Sequence, residues 1–300
     1  MKLTVISGDS FDVYHNQAIE KTLFDLSGDE IVFYLWQNEN AVVIGKNQDA
    51  LSECNYNMFT ADGGKVARRI SGGGAVFHDR GNLNFTFIAP VRYYDLSRQM
   101  KVVQDALKAF GISATLSGRN DVEVNGRKIS GNAFYFHKGK KLHHGTLLID
   151  VDTDKIKKYL TPNSVKLSKK GVKSVEARVL NLAEISDINA DSLKDALLSA
   201  LKEEYRKADF SVLDINDYAD AVAERERVFS DKVWILGDEA CYNTKVVKDS
   251  ALGVLDIRAN VSEGRVTAAK VYSDSLDIIA VERFQKSLIG AKYDGGDFII

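Results

Sequence analysis

The chain has 300 residues, with 40 Lys plus Arg against 42 Asp plus Glu and a formal net charge of −2, which excludes a broad basic surface for coating nucleic acid. Two cysteines far apart in sequence, Cys54 and Cys241, exclude a disulfide scaffold and a paired-cysteine metal site and fit a reducing compartment. The opening apolar run is too short for a signal peptide and no run approaches the roughly 18 residues that span a bilayer, so a cytoplasmic protein of about two domains is expected.

The pattern of apolar residues predicts a mixed α and β fold. Leu3, Val5 and Ile6 mark a first strand. Tyr14, Ala18, Ile19, Leu23 and Leu26 place a helix over residues 12–26. Residues 31–36 and 41–44 read as two short strands around an Asn-Glu-Asn turn, ended by Gly45. A helix over 95–110 carries Leu96, Met100, Val103, Leu107 and Phe110 on one face, with Asp95 to cap its start and Gly111 to end it. Residues 191–206 repeat that pattern with Leu193, Leu197, Ala200 and Leu201, and 217–229 form a more charged, more exposed helix. Alternation over 253–261 and 265–272 about Ser-Glu-Gly predicts a hairpin, and 275–288 a short helix. Hairpin and helix together make a small α+β domain, dividing the chain into residues 1–237 and 238–300.

Three stretches carry chemistry. The first is Arg68-Arg69-Ile70-Ser71-Gly72-Gly73-Gly74-Ala75-Val76-Phe77-His78-Asp79. Glycine lets backbone N–H groups approach an anion, and arginine adds a permanent planar charge suited to carboxylate or phosphate. The plain alternative is a flexible turn with a solvated arginine pair. No Gly-Lys pair is followed by Ser or Thr, so the P-loop pattern is absent, and Phe77 stands where a dinucleotide-binding loop needs its last glycine. The residues after the glycines read as a strand, so any phosphate here is held without a helix N-terminus.

The second stretch runs from Ser117 to Ala133. Val122-Glu123-Val124 and Lys128-Ile129-Ser130 flank Asn125-Gly126, a hairpin signal that brings Asp121 towards the strand of Lys128. A strand lysine is usually a solvated charge; the polar neighbours Asn120, Ser130 and Asn132 single this one out. The third stretch is His143-His144-Gly145-Thr146. Adjacent strand histidines point to opposite faces and cannot readily share a metal, and HExxH and cysteine-quartet motifs are absent, so no metal site is expected. A structural or substrate-lining role falls to one histidine, and solvent exposure is the plain reading of His143. No GxSxG elbow occurs, and Cys54 reads as a buried structural thiol.

In this order the stretches resemble the lipoate–protein ligase A family. The similarity also takes in Ser7-Gly8-Asp9-Ser10, Val43-Ile44-Gly45-Lys46-Asn47-Gln48, Glu53-Cys54-Asn55, Gly118-Arg119-Asn120-Asp121, Leu160-Thr161-Pro162, Lys173-Ser174-Val175, Arg178-Val179-Leu180-Asn181-Leu182 and Val271-Tyr272-Ser273-Asp274-Ser275-Leu276, nearly the whole chain. The resemblance implies an α+β, biotin/lipoate ligase-like catalytic domain with a small accessory domain. It implies an enzyme that uses ATP, with Mg²⁺ assisting, to turn lipoate into lipoyl-AMP. The lipoyl group then passes to a lysine of a lipoyl domain of a 2-oxoacid dehydrogenase complex, or of the glycine-cleavage H protein. Arg69, Gly74, Ala75, Val76 and Phe77 would bind ATP and the adenylate. Lys128 would contact lipoate and phosphate, assisted by Asp121, and Ser71, Gly72, Gly73, His144 and Gly145 would complete the lipoate site. The chain departs from the family pattern at Trp234-Ile235-Leu236-Gly237 and in stopping at Asp297-Phe298-Ile299-Ile300, before the helical tail of many relatives. An octanoyl or lipoyl acyltransferase of the same superfamily is the nearest alternative, but it needs a cysteine nucleophile. A biotin–protein ligase needs a GRGRxG loop, which is missing, and a non-enzymatic lipoate-binding module is the remaining reading.

Overall fold

Alternating and helical apolar patterns settle into the following order: β1 (Lys2–Ser7), α1 (Val13–Leu26), β2 (Glu30–Trp36), β3 (Ala41–Ile44), α2 (Ala50–Glu53), α3 (Tyr56–Ala61), β4 (Lys65–Arg68), β5 (Val76–His78), β6 (Asn82–Pro90), α4 (Leu96–Lys108), β7 (Thr115–Ser117), β8 (Asp121–Val124), β9 (Arg127–His137) and β10 (Lys140–Leu148). Then come α5 (Thr153–Tyr159), α6 (Ala190–Glu204), β11 (Asp209–Val212), α7 (Ala219–Phe229), α8 (Lys232–Leu236), β12 (Thr244–Ser250), β13 (Gly253–Ser262), β14 (Arg265–Ser273), α9 (Ile278–Ser287), β15 (Lys292–Tyr293) and β16 (Phe298–Ile299). The structure is a computed structural model that describes residues 1–118, 120–161, 179–237 and 240–299. Arg119, Pro162, Lys173, Ser174, Val175 and Arg178 of the resemblance lie outside the described residues.

The largest sheet has strand order β11-β1-β2-β6-β10-β9-β8-β7. β1 lies parallel to β2 and β11, and the remaining pairs are antiparallel. Strand side chains alternate between faces, so each face takes its own helical cover. Leu3, Phe33 and Phe87 bury against Val103 and Leu107 of α4 and Leu193, Leu197 and Leu201 of α6. On the opposite face Tyr34, Trp36 and Ile88 bury with Ile19, Leu23 and Phe24 of α1 and Val222 and Phe229 of α7. Helix ends follow the expected chemistry. Asp12 caps α1 by accepting from Tyr14 N and His15 N, Asp95 caps α4 by accepting from Arg98 N, and Gly111 takes φ +74° just beyond α4. α6 starts earlier than residue 191, because Asn189 and Ser192 form a capping box.

β2 and β3 do not pair with each other. Asn16 of α1 donates through Nδ2 to Gln37 O at 2.7 Å and to Asn38 Oδ1 at 3.0 Å, pinning the connection to the helix instead of letting it reverse. β3 instead lies between β4 and β5 in a separate three-stranded sheet. The glycine-rich stretch therefore leaves the end of β4 and crosses to β5 past the end of β3.

The small C-terminal domain is a five-stranded antiparallel sheet, β12-β13-β14-β15-β16, covered by α9. Leu255, Ile257, Val271, Val281 and Leu288 form its core. Its helix starts at Ile278, later than expected, because Asp277 is the cap and Ser275 has another task. The Ser275 carbonyl accepts from Gly73 N at 3.0 Å, and Ser273 N donates to Asn47 O at 2.8 Å. Arg258 adds an ion pair to Asp49 of the larger domain. Among the described residues no helix is long and apolar enough to cross a membrane.

Candidate active site

Register places a floor across the main sheet. Trp36, Asn84, Thr146 and Gly131 are successive partners on β2, β6, β10 and β9, and Tyr34, Thr86, His144 and Ala133 form the adjacent row on the same face. With strands about 4.8 Å apart, Trp36 to Gly131 spans about 14 Å. Trp36, Asn84, Thr146, Gly131, His144 and Ala133 of these rows floor a cavity of about 210 Å³, walled by Gln17 and Glu20 of α1 and by Arg69, Gly73, Gly74, Ala75 and Val76.

Lys128 closes one end. The β8–β9 turn is tight as expected, with Asn125 and Gly126 at φ +52° and +74°, the pair of positive values that a type I′ turn needs. The ladder then slips: Ser130 pairs with Val122 and Lys128 with Glu123, leaving Ile129 as an extra residue. Lys128 and Gly131 are an odd number of residues apart and would face opposite ways in a regular strand. The bulge turns Lys128 onto the cavity face while Ile129 stays in the core. Its Nζ lies 2.7 Å from Asp121 Oδ1, and the pair is about one-third exposed. The ammonium lies over Gly131, where an added Cβ would sit 2.9 Å from Nζ.

The glycine loop is held from within. Both arginines are buried, so the reading of a solvated pair is overturned. Arg69 donates through Nη1 to Val43 O at 3.0 Å, and through Nη2 to Gly72 O at 2.7 Å and Gly74 O at 2.9 Å. Its Nε donates to Ser71 Oγ at 3.1 Å. Most of its donors are spent on its own loop, and burial lowers its pKa to about 10. Arg68 gathers the carbonyls of Gly45, Lys46, Gln48, Trp234 and Ile235, tying α8 to the loop after β3. Gly73 takes φ +95°, and a side chain there would also strike the Arg69 guanidinium at 2.8 Å.

Two chains of hydrogen bonds run beneath the cavity. In one, Ser71 Oγ meets His144 Nε2 at 2.7 Å and His144 Nδ1 meets Glu20 Oε1 at 2.8 Å; Thr86 Oγ1 donates to the same Glu20 oxygen and accepts from Trp36 Nε1. In the other, Asn38 Nδ2 lies 3.0 Å from His78 Nδ1, His78 Nε2 lies 3.2 Å from Thr146 Oγ1, and Thr146 Oγ1 donates to Asn84 Oδ1 at 2.9 Å. Burial first, and then the Arg69 guanidinium nearby, push His78 down to about 3, so it is neutral.

Arg69, Gly73, Gly74, Ala75, Val76, Lys128, His144 and Gly145 thus line one cavity, and Asp121 reaches it through Lys128. Ser71 lies behind His144, with no exposed surface. Gly72 is covered by the small domain: a Cβ there would come within 2.3 Å of Ser275 O. Phe77 turns away from Val76, as strand alternation requires, and packs with Phe59 and Tyr159. Gly145 contributes backbone to the cavity, and its missing Cβ makes room for the Phe85 ring and Asn132. His143 is fully buried rather than exposed. It bonds Gln99 and Asn132, stacks on Phe87 and Phe134, and is held near a pKa of about 3 by burial.

Gln17, Glu20, Trp36 and Asn84 were not anticipated, and His78 and Thr146 stood in the stretches singled out but were given no role. The signal for the first two was a Gln and a Glu at helical spacing among the apolar positions of α1. Trp36, Asn84 and Thr146 become neighbours only through register. Among the described residues no group of His, Cys, Asp and Glu could hold a metal ion by itself.

Residues 12–202 match the family model described as lipoyl protein ligase A/B catalytic domain, and residues 240–298 match bacterial lipoate protein ligase C-terminus. Lipoate-protein ligase A of Psychrobacter cryohalolentis is 36% identical over 307 residues, covering 99% of this chain and 91% of the relative. That of Bdellovibrio bacteriovorus is 37% identical over 303 residues, covering 98% of this chain and 89% of the relative. Among solved structures, P. falciparum LipL1 in complex with lipoate superposes with a TM-score of 0.85 at 31% identity, covering 97% of this chain and 91% of that one. A lipoate-protein ligase A bound with ATP gives a TM-score of 0.67 at 24% identity over 79% of this chain and 98% of that one, a likeness of fold. The chain belongs to the lipoate-protein ligase A family and is a lipoate–protein ligase.

Proposed function

We propose that this enzyme binds lipoate along the cross-strand floor, with its carboxylate at Lys128 and its acyl tail towards Trp36. The supporting observation is a slot about 14 Å long, closed at one end by a half-buried lysine and flanked by a glycine loop. ATP would enter beside that loop, its phosphates against the backbone of residues 73–77 and the Lys128 ammonium. The lipoate carboxylate attacks the α-phosphorus and pyrophosphate leaves; the acceptor lysine amine then attacks the acyl carbon and AMP leaves.

The obstacle in the first step is repulsion between a carboxylate and a polyanion. Fixed cations and backbone N–H donors aimed at the developing charge lower that barrier. Lys128 acts as an electrostatic clamp and Asp121 orients its ammonium. Arg69 contributes charge and loop shape more than direct phosphate contacts, since most of its donors are occupied. His144 and Ser71 form a polar wall under the bound acyl group, and Gly72, Gly73 and Gly145 let backbone approach it. Mg²⁺ would arrive on the triphosphate, held by phosphate oxygens and water with Asp121 the carboxylate nearest Lys128.

The cavity holds no cysteine, and burial, with Glu53 and Asp49 nearby, pushes the Cys54 thiol up to about 11, which argues against an acyl-cysteine transferase. The bipartite lipoate protein ligase of an archaeal lipoylation system, from Thermoplasma acidophilum, is described together with its E2 lipoyl domain. By analogy the acceptors here are lipoyl domains of 2-oxoacid dehydrogenases and the glycine-cleavage H protein, met in the cytoplasm. Residues 1–237 would carry adenylation and 238–300 close over the glycine loop. Mass spectrometry of an apo-lipoyl domain after incubation with enzyme, ATP, Mg²⁺ and lipoate tests this. One lipoyl group on the acceptor lysine is expected, and an unmodified domain under conditions that consume ATP would contradict it.

A further inference from the structure

Two amide side chains on the cavity wall have uncommitted hydrogen-bonding atoms, and one of them, Asn84, stands at the end of the slot away from Lys128. Asn84 is buried, and its Nδ2 has no protein partner. Gln17 is buried too, and both its Oε1 and its Nε2 have none. Both residues line the cavity, and Asn84 stands in register with Trp36, three strands from Asp121's strand β8. Leaving one such group buried and unpaired is costly, so a partner from the substrate has a large effect.

The orientation of Asn84 is dictated by its neighbours. Asn16 Nδ2 donates to Asn38 Oδ1, so the Asn38 amide nitrogen faces His78 Nδ1. His78 then carries its proton on Nε2 and donates to Thr146 Oγ1. Thr146 donates in turn to Asn84 Oδ1, which leaves the NH₂ of this cavity-lining residue without a protein partner. The relay ends in a donor, carries no net charge, and is assembled from α1, the loop between β2 and β3, β5, β10 and β6.

Resting on the lipoate reading above, we infer that Asn84 and Gln17 read the far end of the acyl chain by donating to the sulfur atoms of a dithiolane. They thereby select lipoate over an unbranched acid such as octanoate. Divalent sulfur is a weak acceptor but an acceptor, whereas terminal methylenes offer the amides nothing and bury them unpaired. A site with committed donors rejects an analogue lacking the acceptor more strongly than an apolar slot rejects a lost methylene.

The test is kcat/KM for lipoate and for octanoate in ATP–pyrophosphate exchange, with wild type, Gln17→Leu, Asn84→Leu and the double variant. Wild type should favour lipoate by about tenfold or more. The variants should bring the ratio within about threefold, chiefly by improving octanoate. A merely structural role would lower both substrates together and leave the ratio unchanged, and that result overturns the inference, as does a wild-type ratio near one. Gln17→Leu breaks no protein hydrogen bond, so it carries the test if Asn84→Leu does not fold. Calorimetric Kd values for the two acids on wild type give a second readout, and equal values would also overturn the inference. A wild type inert with both acids would instead bring down the lipoate reading itself.

Discussion

Lys128 is the residue where position decides everything. Its type and its hairpin were legible in sequence, since Asn125-Gly126 demanded a tight turn and Asp121 stood at the matching distance. Its direction was not legible, because a one-residue bulge at Ile129 reverses which face it takes, and no pattern of apolar residues announces it. Gly131 is the consequence. Gly131→Ala should leave the fold within about 1 kcal/mol, since the Cβ meets only the flexible tip of Lys128. It should push the ammonium off Asp121 and cut adenylation by about tenfold or more, given what one misplaced donor costs. An urea titration alongside pyrophosphate exchange checks both halves; unchanged exchange would mean that the ammonium need not sit there. Gln17→Leu is the opposite case: removing two unpartnered buried polar atoms should raise the urea midpoint.

At the level of elements, the glycine loop behaves as a small built structure. The sequence stretch pointed to a loop of unusual backbone, and strand β5 after it was expected. What could not be read was that both arginines are buried among backbone carbonyls rather than offered to solvent, Arg69 largely in its own loop and Arg68 between the loop after β3 and α8. That follows only from where β3, β4 and α8 converge. Arg69→Gln removes bonds to Val43, Gly72 and Gly74 and should cost on the order of 3 kcal/mol, a number set by carbonyls left buried without donors. Thermal melting would read it, and a loss below about 0.5 kcal/mol would show that water replaces the guanidinium freely. The same lesson holds for β2 and β3. Each strand was legible, but their separation into two sheets depends on Asn16, a polar residue in the middle of a helix face.

The whole molecule joins two bodies through the site. Ser275 of the small domain accepts from Gly73, inside the loop that flanks the cavity. Composition and length hinted at two domains but not at this contact, since the residues are some 200 positions apart. Gly72→Ala would drive a Cβ into Ser275 O, so it should loosen the small domain, enlarge the radius of gyration in small-angle scattering, and leave the larger domain folded. An unchanged scattering curve would argue that the contact is incidental. Acid should destabilise the whole. His78 and His143 are neutral and buried with pKa values near 3, below the unfolded 6.5, so the unfolded chain binds the extra protons. Stability is full above pH 6.5 and falls below it, by about 1.4 kcal/mol per pH unit for each histidine until pH nears 3. Urea midpoints at pH 7 and pH 5 would register it. The most direct test of the central claim is lipoate-dependent ATP–pyrophosphate exchange by wild type and Lys128→Ala. Wild type should exchange only when lipoate is present, and Lys128→Ala, with an unchanged far-ultraviolet circular dichroism spectrum, should retain about a hundredth of that rate or less. Near-normal exchange by the folded variant would contradict the role given to Lys128.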